Sequence, residues 1–166
     1  MHMLAVVDRL RAAGAKLELG RNFIRNLPIT AGRLRACDVT TMAYPGFPTD
    51  LQAPVMALST IVPGINVIIE TIFENRFTHV GELRRMGADI TIEGNVVIVK
   101  GVGGLMSAPI MMSDLRAGAA LVVAALTAKG ETEIRRIYHC DRGYERMAEK
   151  LTALGARIER VKGGGA

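Results

Sequence analysis

The 166-residue sequence lacks features that mark several classes of protein. It has no tryptophan, and aromatic residues make up only 4%, so its core must be aliphatic. Two cysteines, Cys37 and Cys140, are too few for a disulfide scaffold or a four-ligand zinc site. No run of about 18 apolar residues occurs, so no membrane span is expected. The charged first apolar stretch is not typical of a secretory signal, and we expect a cytoplasmic chain with reduced thiols.

The composition is that of a soluble globular protein, and its positive charge fits an anionic partner or solubility alone. Apolar residues make up 49% and charged residues 22%, which is the globular range. A balance of 21 basic to 16 acidic residues gives a net charge of +5, which favours anionic ligands. The basic residues are scattered, without a run of five and without an aromatic platform, so nucleic acid is not an expected partner.

An internal repeat organises the chain. Each copy predicts the end of a helix, a glycine in left-handed conformation and then an alternating strand. The glycines concerned are Gly14, Gly87 and Gly155. The three copies read LRAAGAKLEL (10–19), LRRMGADITI (83–92) and LTALGARIER (151–160).

One complete unit runs strand, helix, strand, helix and hairpin. Its elements are predicted at 38–42, 50–61, 65–71, 78–86 and 88–101, the hairpin turning at Gly94-Asn95. The same order is expected again from 108 to 161. We therefore predict one incomplete domain over 1–166, with 4–35 as the tail of one repeat, 36–103 as a second and 104–162 as a third. The tail 162–166 is expected to be frayed.

The helices that begin at Asp50 and Asp114 are apolar nearly all round, as in LRAGAALVVAAL. Helices of that kind belong inside a protein. Since helices alternate with strands, this pattern predicts an α/β prism, with apolar helices at its centre and sheets outside.

Two aspartates and two arginines occupy equivalent positions in the repeats. Asp50 and Asp114 each fall in the first turn of a predicted helix, where Thr49 and Ser113 are candidate N-caps. An aspartate there can simply stabilise the helix dipole. The stiff approach segment TMAYPGFPTD (41–50) favours a ligand site instead, because a cap needs no such loop.

Arg76 and Arg142 each follow a predicted strand and precede a predicted helix. A guanidinium at such a junction binds carboxylate or phosphate, and the repeat would direct both arginines into one cleft. The alternative is a surface arginine paired with Glu74 or Asp141.

No metal site is predicted. His79 and His139 lie 60 residues apart and are expected at the surface or at a helix start. His139 and Cys140 are expected on a strand, where adjacent side chains point to opposite faces.

Five motifs together resemble the C-terminal part of the UDP-N-acetylglucosamine enolpyruvyl transferases, over about 6–161. They are PGFPTDLQ (45–52), ETIFENRF (70–77), ELRRMGADI (82–90), SDLRAGAALV (113–122) and YHCDRGYE (138–145). The resemblance implies an inside-out α/β barrel and transfer of the enolpyruvyl group of phosphoenolpyruvate to the 3-hydroxyl of UDP-N-acetylglucosamine. This reaction is the first committed step of peptidoglycan synthesis, on which cell shape and division depend. No cofactor or metal is implied.

The resemblance also implies catalytic roles for three residues. Asp50 matches the aspartate that binds the sugar 3-hydroxyl and is the proposed general base. Asp114 matches a residue near the reacting centre that assists proton transfer, and Arg142 matches an arginine that binds phosphoenolpyruvate.

Three further matches imply substrate binding. Ile72 corresponds to a residue that contacts the uridine part through its backbone. Arg76 corresponds to another arginine in the phosphoenolpyruvate cleft, and Arg116 to a residue near the reacting centre. Fixed cations of this kind suit two anionic substrates.

Parts of the family pattern have no counterpart in this sequence. These are the Lys-Asn motif, the mobile loop with the general acid, and the arginines of the other domain. We therefore expect little turnover from the chain alone. The alternative is a non-catalytic fragment that binds UDP-sugar, or that docks onto a complementary chain or itself through the incomplete domain. An RNA-processing relative with a similar repeat is a third possibility, supported by charge alone.

Overall fold

The structure is a computed structural model that describes residues 3–29 and 33–161; the predicted frayed tail lies outside them. The helices are α1 (Leu4–Ala12), α2 (Gln52–Ser59), α3 (Val80–Arg85), α4 (Leu115–Ala125), α5 (Tyr138–Asp141) and α6 (Met147–Ala153). The strands are β1 (Lys16–Leu19), β2 (Ile24–Leu27), β3 (Val39–Thr40), β4 (Ile65–Ile69), β5 (Asp89–Glu93), β6 (Val96–Lys100), β7 (Ile110–Met111) and β8 (Ile134–Arg135). A 3₁₀ turn, Thr49–Leu51, leads into α2.

The strands form one four-stranded sheet and two pairs. In the sheet, with order β3-β4-β6-β5, β3 is parallel to β4 while β6 is antiparallel to both of its neighbours. The predicted hairpin β5–β6 is present, and β1 and β2 pair in the same antiparallel way. β7 and β8 are parallel. The chain thus contains two βαβ units, β3-α2-β4 and β7-α4-β8, each with an apolar helix between parallel strands.

The two apolar helices lie in the interior, and the predicted α/β fold is confirmed. Met56 of α2 and Leu121 of α4 are fully buried in one hydrophobic cluster with Ile68 of β4 and Val97 and Val99 of β6. Burial of a side chain of this size stabilises the folded state by about 1.5–3 kcal/mol. Both βαβ units therefore share one core.

The three predicted helix ends are also confirmed. Gly14, Gly87 and Gly155 have φ values of +100°, +91° and +99°. Each follows α1, α3 or α6 by two residues and donates its N–H to a carbonyl of the last turn, as does the residue after it. This is the Schellman arrangement, which satisfies carbonyls that the helix itself leaves open.

The second βαβ unit departs from the prediction in two ways. Residues 155–161 form no strand, so the expected second hairpin is absent from the described chain. A strand needs a partner to hold its hydrogen bonds, and this segment has none there. His139 and Cys140 lie on α5 and not on a strand.

A second, smaller hydrophobic cluster lies apart from the main core. It joins Val6 of α1, Val39 of β3 and Phe47, with Leu51 and Val55 packed against it. Phe47 belongs to the stiff approach segment, so this cluster fixes the loop that leads to Asp50.

No helix of the described ranges is both long enough and apolar enough to cross a membrane.

Candidate functional site

The candidate site lies where β3 and β4 end and α2 and α4 begin. Carboxyl ends of parallel strands and starts of helices are where α/β proteins bind ligands. The side chains that meet there come from the 3₁₀ turn, the loop after β4 and the first turn of α4.

Asp50 holds two guanidinium groups. Arg76 donates Nη2–H to Asp50 Oδ1 at 3.2 Å, and Arg116 also donates Nε–H to that oxygen. The aspartate side chain is 62% exposed while that of Arg76 is only 16% exposed. The carboxylate is therefore more exposed to solvent than either of the guanidiniums that it binds.

Arg76 is held from three sides. Besides Asp50, its Nη1–H donates to Thr49 Oγ1 at 2.7 Å, and its guanidinium lies 4.3 Å from the centre of the Phe73 ring. Glu74, the ion-pair partner that the surface alternative required, does not pair with it. A guanidinium fixed in this way is preorganised for an anionic group.

Asp114 has the capping role that was expected for its neighbour Ser113. Asp114, and not Ser113, is the N-cap of α4: its Oδ1 accepts the N–H groups of Arg116 and Ala117 at 2.9 and 3.0 Å. Its Oδ2 accepts the hydroxyls of Thr78 and Ser113, each at 3.1 Å. Burial raises the pKa of Asp114, but these four hydrogen bonds outweigh it and lower the pKa below its usual 3.8.

Thr49 is likewise not a cap. α2 is preceded by the 3₁₀ turn, and neither helix start receives a side-chain hydrogen bond. The Thr49 hydroxyl instead donates to Glu70 Oε2 at 2.8 Å while it accepts from Arg76.

Glu70 is the residue that the sequence reasoning missed. Its side chain is buried, and its Oε1 accepts the N–H groups of Ile72 and Phe73 at 2.8 and 3.2 Å and the hydroxyl of Thr41 at 2.8 Å. Burial raises the pKa of Glu70, but its hydrogen bonds lower the pKa below 4.5 overall. The available signal was an acidic residue directly after the apolar strand INVII.

Ile72 lies on this turn with 40% of its surface exposed. Its N–H is taken by Glu70, so a ligand would meet the rest of its backbone and its side chain.

Arg142 is not at a strand–helix junction. It follows α5, and its guanidinium lies 5.6 Å from the Tyr138 ring. Within the described ranges it makes no ion pair with Asp50. Asp141, its alternative partner, binds Arg160 at 2.8 Å instead. The structure thus brings together Asp50, Arg76 and Arg116, with Asp114 adjacent through Arg116, while the position of Arg142 in the site stays a prediction.

His79 was expected either at the surface or at a helix start. It lies directly before α3, at the helix start, and it is buried. Burial lowers the pKa of His79 to about 4, although the Asp114 charge acts in the opposite direction. Among the described residues, no group of three or more His, Cys, Asp or Glu side chains could hold a metal ion.

Solved structures with this fold define its class. The enolpyruvyl transferase NikO from Streptomyces tendae superposes on 95% of this chain and 36% of that one, with a TM-score of 0.84 and 30% identity. EPSP synthase from Acinetobacter baumannii, 19% identical, superposes on 79% of this chain and 31% of that one with a TM-score of 0.63 and supports the fold alone.

The chain belongs to the family of EPSP synthase (3-phosphoshikimate 1-carboxyvinyltransferase), whose pattern matches residues 2–151. Two curated relatives are named UDP-N-acetylglucosamine 1-carboxyvinyltransferase. That of Thermodesulfovibrio yellowstonii is 55% identical over 97% of this chain and 38% of its own length. That of Magnetococcus marinus is 57% identical over 95% of this chain and 37% of its own length. The resemblance found in the motifs is confirmed, and the chain spans less than two-fifths of these relatives.

Proposed function

We propose that this chain is part of an enzyme that transfers enolpyruvyl from phosphoenolpyruvate to the 3-hydroxyl of UDP-N-acetylglucosamine, in peptidoglycan synthesis in the cytoplasm. The observation that carries the proposal is the Asp50 carboxylate, exposed to solvent and held by Arg76 and Arg116. The complete domain would be an inside-out barrel with α2 and α4 at its centre.

The geometry supports the proposal for two of the functions that such a reaction needs. An exposed carboxylate can accept the proton of a sugar hydroxyl, and two fixed guanidiniums can bind phosphate or carboxylate oxygens. Both guanidiniums bind Asp50 in this structure. An anionic substrate would therefore bind beside the Asp50 carboxylate or replace it as their partner. In this proposal Ile72 contacts the uridine part, and Arg142 joins the phosphoenolpyruvate site from the loop after α5.

In this proposal Asp114 positions Arg116. All four hydrogen bonds of Asp114 favour its ionised form, and two of them hold the first turn of α4, to which Arg116 belongs. We expect no phosphate release from this chain alone, since the general-acid loop of the family has no counterpart in its sequence. Release of phosphate from both substrates by the pure chain would overturn that expectation.

The binding site is tested by calorimetry with UDP-N-acetylglucosamine and with UDP. Asp50→Asn should reduce the preference for the sugar nucleotide over UDP about tenfold or more, because a hydrogen bond to a charged acceptor is lost. Asp89→Asn is the matched control, since Asp89 is also exposed and paired with one cation, Lys100. No binding by the unmodified chain, or equal behaviour of the two variants, contradicts the proposal.

The docking alternative is favoured by exposed apolar side chains around α1 and the β1–β2 pair. Leu4, Phe23 and Ile24 are each more than 40% exposed. Apolar surface of this kind favours association. Size-exclusion chromatography with light scattering tests it: a mass that rises with concentration, without nucleotide binding, favours the docking fragment.

A further inference from the structure

Glu70 is a buried charge that the proposed chemistry does not use. Only 2% of the residue is exposed, and in the described part of the chain it forms no ion pair. A buried carboxylate is costly unless hydrogen bonds replace its water. In Glu70, four hydrogen-bond donors replace that water.

The two carboxylate oxygens serve different segments. Oε1 accepts the backbone N–H groups of Ile72 and Phe73, so it closes the turn that directly follows β4. Oε2 accepts the Thr49 hydroxyl, on the turn that carries Asp50. The Thr41 hydroxyl is the remaining donor, and it ties Glu70 to the end of β3.

Thr49 links Glu70 to Arg76 through its hydroxyl group. A hydroxyl has one proton, and here that proton points to Glu70. The lone pairs of the oxygen are thereby directed away from Glu70, and Arg76 Nη1–H donates to one of them at 2.7 Å. The orientation of the Arg76 guanidinium thus depends on a residue that it does not touch.

Only one of the four donors, Thr41, serves to join the ends of the two parallel strands. Three of the four donors belong instead to segments that reach the site: the Ile72–Phe73 turn and Thr49.

We propose that Glu70 is the positioning residue of this site. One of its oxygens sets the Ile72–Phe73 turn and the other, through Thr49, sets Arg76, in the arrangement that receives the nucleotide sugar. This inference rests on the proposed function for the identity of the ligand, but not for the two-branched arrangement itself.

The test uses Glu70→Gln, Thr49→Val and a control, Glu93→Gln, at the exposed end of β5. Amide hydrogen exchange is followed residue by residue, the side-chain NMR signal of Arg76 is recorded, and affinity for UDP-N-acetylglucosamine is measured. Glu70→Gln should speed exchange at Ile72 and Phe73 about tenfold and weaken binding about tenfold, since charged acceptors are lost.

The Ile72–Phe73 turn and the Arg76 side chain should respond to different substitutions. Thr49→Val should shift the Arg76 signal and weaken binding while exchange at Ile72 and Phe73 stays unchanged. Glu93→Gln should alter none of these. A general loss of stability would speed exchange in β6 as well, and that result, or unchanged exchange at Ile72 and Phe73, would overturn the inference.

If Glu70→Gln does not fold, Thr49→Val decides, because an unshifted Arg76 signal contradicts the relay. If the unmodified chain binds no nucleotide, the proposed function fails for this chain, while the exchange pattern and the Arg76 signal still decide the role of Glu70.

Discussion

The two βαβ units place an aspartate at the same point and use it differently. In β3-α2-β4, Asp50 lies in a 3₁₀ turn before the helix and its carboxylate binds two guanidiniums. In β7-α4-β8, Asp114 has extended backbone angles of −157° and 176° and caps the helix. The difference teaches that a repeated residue need not repeat its role. The path of the backbone into the helix decides whether the carboxylate faces the helix or the solvent.

The largest expected effect tests whether the two units share one core. Met56→Ala in α2 and Leu121→Ala in α4 should each lower the free energy of unfolding by about 2–5 kcal/mol, because both side chains are fully buried. Chemical denaturation measures this, with Leu126→Ala, which removes a half-exposed side chain, as the control. A cost below about 1 kcal/mol for either variant would mean that its side chain does not contribute to the shared core as the structure requires.

The next effect concerns the contact between the starts of α3 and α4, where the charge of Asp114 acts on His79. Because burial lowers the pKa of His79 to about 4, the unfolded chain binds its proton at higher pH than the folded chain does. The free energy of unfolding should therefore fall by about 2 kcal/mol between pH 8 and pH 5. His79→Phe should remove most of this slope.

The matched control for that slope is His139→Phe, which changes the half-buried histidine on α5. The carboxylates Glu70 and Asp114, whose pKa values lie below 4.5 and 3.8, contribute only at lower pH, so they do not obscure the interval. The explanation fails if both variants keep the same slope as the unmodified chain.

The smallest effect separates the two aspartates by stability. Asp114→Ala removes an N-cap and should cost about 1 kcal/mol. Asp50→Ala removes the ion pairs of an exposed carboxylate, while Arg76 keeps its hydrogen bond to Thr49, so the cost should be less than about 0.5 kcal/mol. Thermal unfolding of both variants measures the difference. Equal costs would remove the structural distinction between the two positions.

The sequence predicted those parts of the fold that local patterns determine. Helix ends at Gly14, Gly87 and Gly155 depend on one residue in left-handed conformation, and the β5–β6 hairpin depends on a two-residue turn between alternating strands. The buried helices followed from the lack of a polar face. These signals lie within a few residues of the structure that they specify.

What the sequence could not predict depends on partners far along the chain. Glu70 meets Thr41 and Thr49, which lie 29 and 21 residues away, so no local pattern indicates its role. The choice of Asp114 over Ser113 as the cap depends on backbone angles set by packing. The repeat suggested a common position for Arg76 and Arg142, but β8 ends at Arg135 and the short α5 intervenes.

The small cluster of Val6, Val39 and Phe47 has a consequence for how the site is anchored. Leu51, which packs against it, belongs to the same 3₁₀ turn as Asp50. Arg116 belongs to α4, whose buried residues lie in the main core. The carboxylate and one of its two guanidiniums are thus anchored in different hydrophobic clusters, and a substitution far from the site, in either cluster, would change the distance between them.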